Sequence, residues 1–468
     1  MAYRTLNPAT ETVEANFETL SDPALMNALD VAAAAYRNVW SRSAVSTRSA
    51  VMAKVAELMR SEIEHLAALA VRDMGKLFTH AIGELQLAAA ILDYYAQEGE
   101  RLLAPKPVEG YEGATVHTLP LGVILAVEPW NFPYYQIARV AGPQLMAGNV
   151  LLVKHASNVP QCAAAIEDLF RRAGAPAGIY TNLFASTDQV ARLIDDDQVR
   201  GVTLTGSEGA GASVAERAAR KLKKSVLELG GSDPMIVLED APVDATIANA
   251  VAGRMNNTGQ SCVATKRMIV VGRARGQLFL DAMIAALGAL QPGDPMDPAT
   301  QLGPVSSEKA LADLLSQIDR AKAAGAQVVL GGRRIDRPGF YLEPTILTEV
   351  DEDNPIYSEE LFGPVLAFHI VDTEEEALKI ANAVRFGLGS AIFTADLAHA
   401  AELALQIESG MTFVNHPTWS APQLPFGGIK ASGYGRELGE LGIGEFVNRK
   451  LVAVSPAGSP PFGAERAG

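Results

Sequence analysis

Cys262 closes the segment Asn257-Thr258-Gly259-Gln260-Ser261-Cys262, a polar, glycine-containing stretch that does not suit a helix interior and so presents its thiol. A presented thiolate attacks electrophilic carbon and divides one difficult reaction into two easier ones through a covalent intermediate. The other cysteine, Cys162, sits in the apolar helical run Cys162-Ala163-Ala164-Ala165-Ile166 and reads as inert packing. Glu228 lies in Leu227-Glu228-Leu229-Gly230-Gly231 at the end of an apolar run. It reads either as a solvated strand-end carboxylate or as a base, raised by apolar neighbours, that activates water. Asn131, between Pro129-Trp130 and Phe132-Pro133, is a turn residue or an amide held rigidly enough to face an oxyanion. No G-x-G-x-x-G, Walker loop or H-E-x-x-H occurs, and the seven histidines show no metal-ligand spacing, which disfavours a metal hydrolase or a P-loop enzyme and predicts no metal.

These residues need a large scaffold. The 468 residues suit two or three domains. With 48% apolar and 20% charged residues and no glycine or proline period, collagen, coiled coil and bulk disorder are excluded. The net charge of −15 would repel nucleic acid and an anionic membrane alike. Two cysteines are too few for a disulfide framework, no long apolar run is present, and Met1–Thr10 carries no signal or transit pattern, so the expected location is the cytoplasm. The first hundred residues read as helices, starting at Ser21-Asp22-Pro23. Short apolar runs then alternate with amphipathic stretches: Val123–Val127, Val150–Val153, Ile179–Leu183, Val202–Thr205 and Val226–Leu229. A second series comprises Met268–Val271, Ala326–Leu330, Val365–Ile370, Ser390–Phe393 and Thr412–Val414. Such alternation predicts buried parallel strands in two α/β halves that meet near Gly230-Gly231. The stretch Leu103–Gly113 is expected to lead into an outlying hairpin, and the Pro/Gly/Ala-rich end to form a mobile tail.

Pro129-Trp130-Asn131-Phe132-Pro133, Thr205-Gly206-Ser207, Leu227–Gly231, Gly259-Gln260-Ser261-Cys262, Glu360-Leu361-Phe362-Gly363-Pro364 and Pro425-Phe426-Gly427-Gly428 stand in the order and approximate spacing of the aldehyde dehydrogenase superfamily. The chain resembles that family over nearly its whole length. The resemblance implies an α/β fold with two Rossmann-like domains plus a small oligomerisation hairpin. Residues 1–103 and 121–230 would bind cofactor, 231–445 would be catalytic, 104–120 and 446–457 would build a homodimer or homotetramer, and 458–468 would be the tail. It further implies that Cys262 attacks an aldehyde, Asn131 and the Cys262 N–H stabilise the oxyanion, hydride leaves for a nicotinamide, and Glu228 assists hydrolysis of the thioester to an acid. Trp130 and Phe362 would line the nicotinamide end, Lys154 would reach the adenosine ribose, Gly206, Ser207 and Gly211 would border the pyrophosphate, and Glu360 would hold the nicotinamide ribose.

Many relatives that prefer NAD carry Glu at the position of Ser157. Here a serine beside Lys154 leaves nothing to repel a 2′-phosphate, so NADP preference with weaker NAD use is expected. Arg139 lies eight residues after Asn131, slightly over two helical turns, and is expected to project toward the substrate channel. The chain is similar to bacterial succinate-semialdehyde dehydrogenases in having Arg139 and Ser420, which would hold a distal carboxylate, with Phe426 alongside. A small-molecule aldehyde, rather than nucleic acid or membrane, is the expected partner.

Departures from the pattern are specific. Another branch of the family carries a second carboxylate-binding Arg at the position of Asn256, so the carboxylate clamp is expected to be either weaker or drawn from elsewhere, with Gln136 and Arg267 as candidates. Val140 replaces a common Lys, Asn448 a common Glu, and Ala264 excludes a vicinal thiol switch. Dehydrogenases for glutarate semialdehyde or general aliphatic aldehydes are the nearest alternatives. A Cys-dependent thioester hydrolase would leave Lys154, Glu360 and Trp130 without use, and a non-catalytic scaffold would not need Cys262, Glu228 and Asn131 together.

Overall fold

The computed structural model describes residues 3–459. Its first sheet runs, in spatial order, Gly433–Tyr434, Lys224–Glu228, Val199–Thr205, Val123–Glu128, Val150–His155 and Tyr180–Asn182. All but the first of these strands are parallel, joined by crossover helices at Tyr135–Ala147, Pro160–Arg172, Thr187–Asp195 and Glu208–Arg220. Helices cover both faces, which is why the strands read as continuous Val/Leu/Ile runs. The second sheet orders Gln327–Leu330, Thr345–Thr348, Val365–Val371, Thr265–Val271, Asp233–Val237, Gly389–Phe393 and Met411–Val414, with only the first strand antiparallel. Both sheets are thus Rossmann-like α/β layers.

Two expectations need correction. The chain does not begin with helices: Tyr3–Asn7 and Thr12–Phe17 pair as an antiparallel hairpin, and the helices start at Asp22 behind the capping hydroxyl of Ser21. Tyr3 and Thr5 are buried while Arg4 is exposed, an alternation too short to stand out among polar neighbours. The second sheet also contains Asp233–Val237 and Thr345–Thr348, each a short run beside a proline.

A three-stranded antiparallel sheet of Lys106–Pro107, Ala114–Pro120 and Val447–Ala453 extends beyond these layers and leaves Leu119, Leu451 and Val452 exposed. Of the tail expected at 458–468, all but the first two residues lie outside the described residues. Among the described residues, no helix is long and apolar enough to cross a membrane, and no cluster of His, Cys, Asp or Glu could hold a metal ion.

Candidate active site

The nucleophile loop is held in an uncommon backbone conformation. Asn257 and Thr258 lie at φ 54° and 55°, and a β-branched residue there is strained unless its surroundings impose it. They are imposed here by several bonds. His80 Nδ1 accepts the Asn257 N–H at 3.2 Å, and Asn257 Nδ2 donates to the carbonyls of Asn131 (2.8 Å) and Gln260 (3.2 Å). Gln260 Oε1 accepts the Ser306 N–H at 2.8 Å. Burial pushes His80 down to about 4, so its imidazole is a neutral acceptor.

Asn131 joins the loop directly. Gln136 Nε2 donates to Asn131 Oδ1 at 2.8 Å, which turns Asn131 Nδ2 toward the Gln260 carbonyl, 3.1 Å away and two residues before the thiol. Gln136 is therefore occupied in orienting the amide. The helix carrying Gln136 and Arg139 is tied at its N-terminus by Glu84 Oε1, which accepts the N–H groups of Tyr134 (2.7 Å) and Tyr135 (3.0 Å). The carboxylate itself is paired with buried Lys76.

Cys262 lies on a cavity of about 620 Å³ whose wall also includes Tyr135, Arg139, Asn256, Ser420 and Phe426. Burial pushes its thiol up to about 12, with Lys266 and Arg139 pulling in the opposite direction. Arg139 does face this cavity, but its guanidinium is not a free carboxylate trap. Nε lies 2.6 Å from Glu437 Oε2, Nη2 donates to Thr205 Oγ1 at 3.1 Å, and the group lies over the rings of Phe426 (4.4 Å) and Tyr135 (5.0 Å). Ser420 Oγ stands 2.6 Å from the Tyr135 hydroxyl. Among the polar groups of the cavity, the Tyr135 and Ser420 hydroxyls thus pair with each other, with Arg139 beside them. Arg267, the other candidate for that role, is committed to the carbonyls of Ser232, Ile380 and Ala381 at 2.9, 2.6 and 3.0 Å.

Glu228 does not line this cavity. It ends its strand beside Gly427, where a Cβ would come within 2.7 Å of Oε1, and neither carboxyl oxygen has a protein partner among the described residues. Burial, then Glu437, raise its carboxyl well above the ordinary range, while Arg139 opposes them. Thr205 pairs with Glu228 and Leu204 with Val127, so Glu128, Thr205 and Glu228 form one row across the ends of three adjacent parallel strands. Glu128 is raised in the same way, by burial first and Glu437 second.

A groove of about 480 Å³ opens beside Lys154, Val127, Leu204, Ala210 and Val214, between helices Thr187–Asp195 and Glu208–Arg220 at the carboxyl ends of the strands. That is where an open α/β sheet accepts a dinucleotide. Burial lowers Lys154, whose ammonium lies 5.8 Å from the Tyr3 ring centroid. The Ser157 carbonyl accepts the Arg4 N–H at 3.1 Å. Gly206 makes the turn into helix Glu208–Arg220, with its N–H on the Glu228 carbonyl at 3.0 Å and Ser207 as the N-cap. A Cβ on Gly211 would lie 2.6 Å from Leu229 Cδ2, so this glycine admits close packing of helix on strand. Trp130 and Phe362 meet edge to face at 5.8 Å. Glu360 Oε1 accepts the Gly231 N–H at 3.0 Å and lies 3.0 Å from Lys266 Nζ.

Sequence reasoning missed Glu437, Tyr135, Glu84 and Lys266. For Lys266 a signal existed, since Lys266-Arg267 enters a wholly buried strand and two cations there demand partners.

A half-buried thiol on a cavity, an amide fixed at its loop and a groove at the carboxyl ends of a parallel sheet fit one class, a nucleotide-dependent oxidoreductase. The chain belongs to the aldehyde dehydrogenase family, whose model matches residues 1–452. It is 47% identical to a succinate-semialdehyde dehydrogenase (NADP(+)) of Deinococcus radiodurans over 98% of this chain and 96% of that one. It is 44% identical to a probable succinate-semialdehyde dehydrogenase (NADP(+)) of Synechocystis over 97% and 100%. The fold superposes on the succinic semialdehyde dehydrogenase of Streptococcus pyogenes, solved with NADP+, with TM-score 0.95, 45% identity and coverage of 97% and 100%.

Proposed function

We propose that this protein oxidises succinate semialdehyde to succinate with NADP as the preferred acceptor, and that NAD serves less well. The observation that carries the substrate choice is a polar group in the cavity: Tyr135 and Ser420 offer hydroxyls 2.6 Å from each other beside the Arg139 cation, lining the same cavity as Cys262. A four-carbon semialdehyde has a carboxylate for one end and a carbonyl for the other. In this reading 1–103 and 121–230 hold cofactor, 231–445 carry the nucleophile, and 104–120 with 446–457 join copies into a homodimer or homotetramer. The exposed apolar side chains of the three-stranded sheet support the last assignment. The identity to bacterial dehydrogenases and the paucity of cysteine support a cytoplasmic location.

Cys262 Sγ bonds the aldehyde carbon to give a thiohemiacetal, with Asn131 Nδ2 and the Cys262 N–H as oxyanion donors; one such donor is typically worth about 2.7–4 kcal/mol of barrier. The groove fits a dinucleotide: Lys154 and Ser157 would hold the 2′-phosphate end, Gly206 and Ser207 the pyrophosphate, and Trp130, Glu360 and Phe362 the nicotinamide riboside. When bound, the nicotinamide supplies the hydride acceptor. Glu228 takes the proton of the water that cleaves the Cys262 thioester, and the raised carboxyl makes it a stronger base than a free glutamate.

The test is turnover of succinic, glutaric and butyric aldehydes by wild type, Cys262→Ala and Arg139→Met with NADP and NAD. Succinic aldehyde is expected to have the highest kcat/KM, and Cys262→Ala to be inactive. Arg139→Met should reduce kcat/KM for succinic aldehyde about tenfold to a hundredfold more than for butyric aldehyde, as loss of the cation beside the Tyr135 and Ser420 hydroxyls requires. Equal losses on both would remove the argument for an anionic substrate.

A further inference from the structure

Lys266 has no part in the chemistry above, yet its ammonium bonds the nucleophile's own carbonyl. It is fully buried at the start of strand Thr265–Val271. Its ammonium donates to the carbonyls of Ser261 at 2.6 Å and Cys262 at 2.5 Å, and Glu360 Oε1 is its counter-charge at 3.0 Å. Two peptide carbonyls need only a neutral donor, whereas a buried ammonium is costly to desolvate. The Glu360 side chain retains 20% of its exposure, so the pair is unequal: the cation is sealed beneath the loop and the anion reaches water.

We propose that Lys266 is a positioning residue that acts on the nucleophile through charge, favouring loss of the Cys262 thiol proton, and that Glu360 moderates it as the opposing charge. This rests on the reading of Cys262 as nucleophile. The charged groups that face the thiol are Lys266 and Arg139, which favour the thiolate, and Glu360 and Asp233, which oppose it. Tyr135 lies in the same field. Arg139 has Glu437 as a fully buried partner, so the less completely compensated cation is Lys266. Only the S–H bond changes in this step, and the proton passes to water in the cavity.

The test is alkylation of the full-length protein by iodoacetamide without cofactor, followed through the mass of the Cys262 peptide across roughly the range in which protein thiols ionise. Lys266→Met should move the midpoint upward by about one pH unit, which makes alkylation below both midpoints about tenfold slower. Lys266→Arg should restore most of the rate. Glu360→Gln should move the midpoint downward, and it decides the matter if Lys266→Met does not fold. A midpoint unchanged in Lys266→Met with normal unfolding behaviour, or unchanged or raised in Glu360→Gln, overturns the proposal. A latch that only holds the loop would alter the melting temperature and leave the midpoint in place. If protein alkylated at Cys262 keeps its turnover, the nucleophile reading fails instead, and the midpoints still report on Lys266.

Discussion

Arg139 Nε and Glu437 Oε2 lie 2.6 Å apart with both side chains almost wholly out of water, so each charge depends on the other. Burial works against the guanidinium, and Glu437 leads the groups that restore its charge. Replacing Glu437 by Gln removes the compensation and leaves a buried cation. The expected loss of stability is about 3–5 kcal/mol, read from the urea midpoint of unfolding. A variant within 1 kcal/mol of wild type, on the order of an exposed pair, would mean that the ion pair is not buried in solution.

Ser157→Glu places a carboxylate beside Lys154 where the 2′-phosphate is expected. Repulsion should weaken NADP, while the new acceptor pairs with ribose hydroxyls. The ratio of kcat/KM for NADP to that for NAD should fall at least about tenfold, a charged hydrogen bond's worth. An unchanged ratio would count against Ser157 as the selecting residue.

Glu228→Gln keeps shape and removes the base. Because acylation does not require that base, the variant should produce one equivalent of reduced cofactor per site and then stop, a burst that separates the two half-reactions. In the wild type, hydrolysis needs the ionised carboxyl. Burial raises Glu228, so steady-state kcat should climb with pH through a value well above that of a free glutamate. A variant that turns over steadily would exclude Glu228 as the base.

Glu128 offers a stability test away from the nucleophile. Its folded carboxyl is raised, chiefly by burial, so between the unfolded value near about 4.3 and the folded one the native state holds more protons. Stability must therefore fall as pH rises through that window. Glu128→Gln cannot ionise and should melt higher than wild type at pH 8, with the gap closing toward pH 5. A gap that widens on acidification would reverse the sign and refute the raised carboxyl.

Much of this architecture is legible in the chain. Strands such as Val123–Glu128 and Val150–His155 are buried on both faces and announce themselves as apolar runs. Cys262, Asn131 and Glu228 stand out because each is a polar group where the local pattern does not require one. Their partners do not stand out. Glu437 follows Asn131 by some three hundred positions and meets Arg139 only through the packing of the terminal segment on the helix. Glu84 reads as one more polar residue of a long helix until Tyr134 and Tyr135 turn their amides onto it. Gly211 matches a motif position, but its close contact with the Leu229 side chain is visible only in the folded chain. Local pattern reveals a group that can react; the group that restrains it belongs to tertiary structure.

The row Glu128, Thr205 and Glu228 makes the sheet a ruler. Strand spacing, about 4.8 Å per step, sets how far apart their backbone positions sit, and no rotamer change can alter that interval. One residue inserted into either flanking strand would swing its acid to the opposite surface of the layer. Substitution can retune the basicity of the two acids one at a time, whereas the spacing of the row can be revised only by rebuilding the layer that bears it.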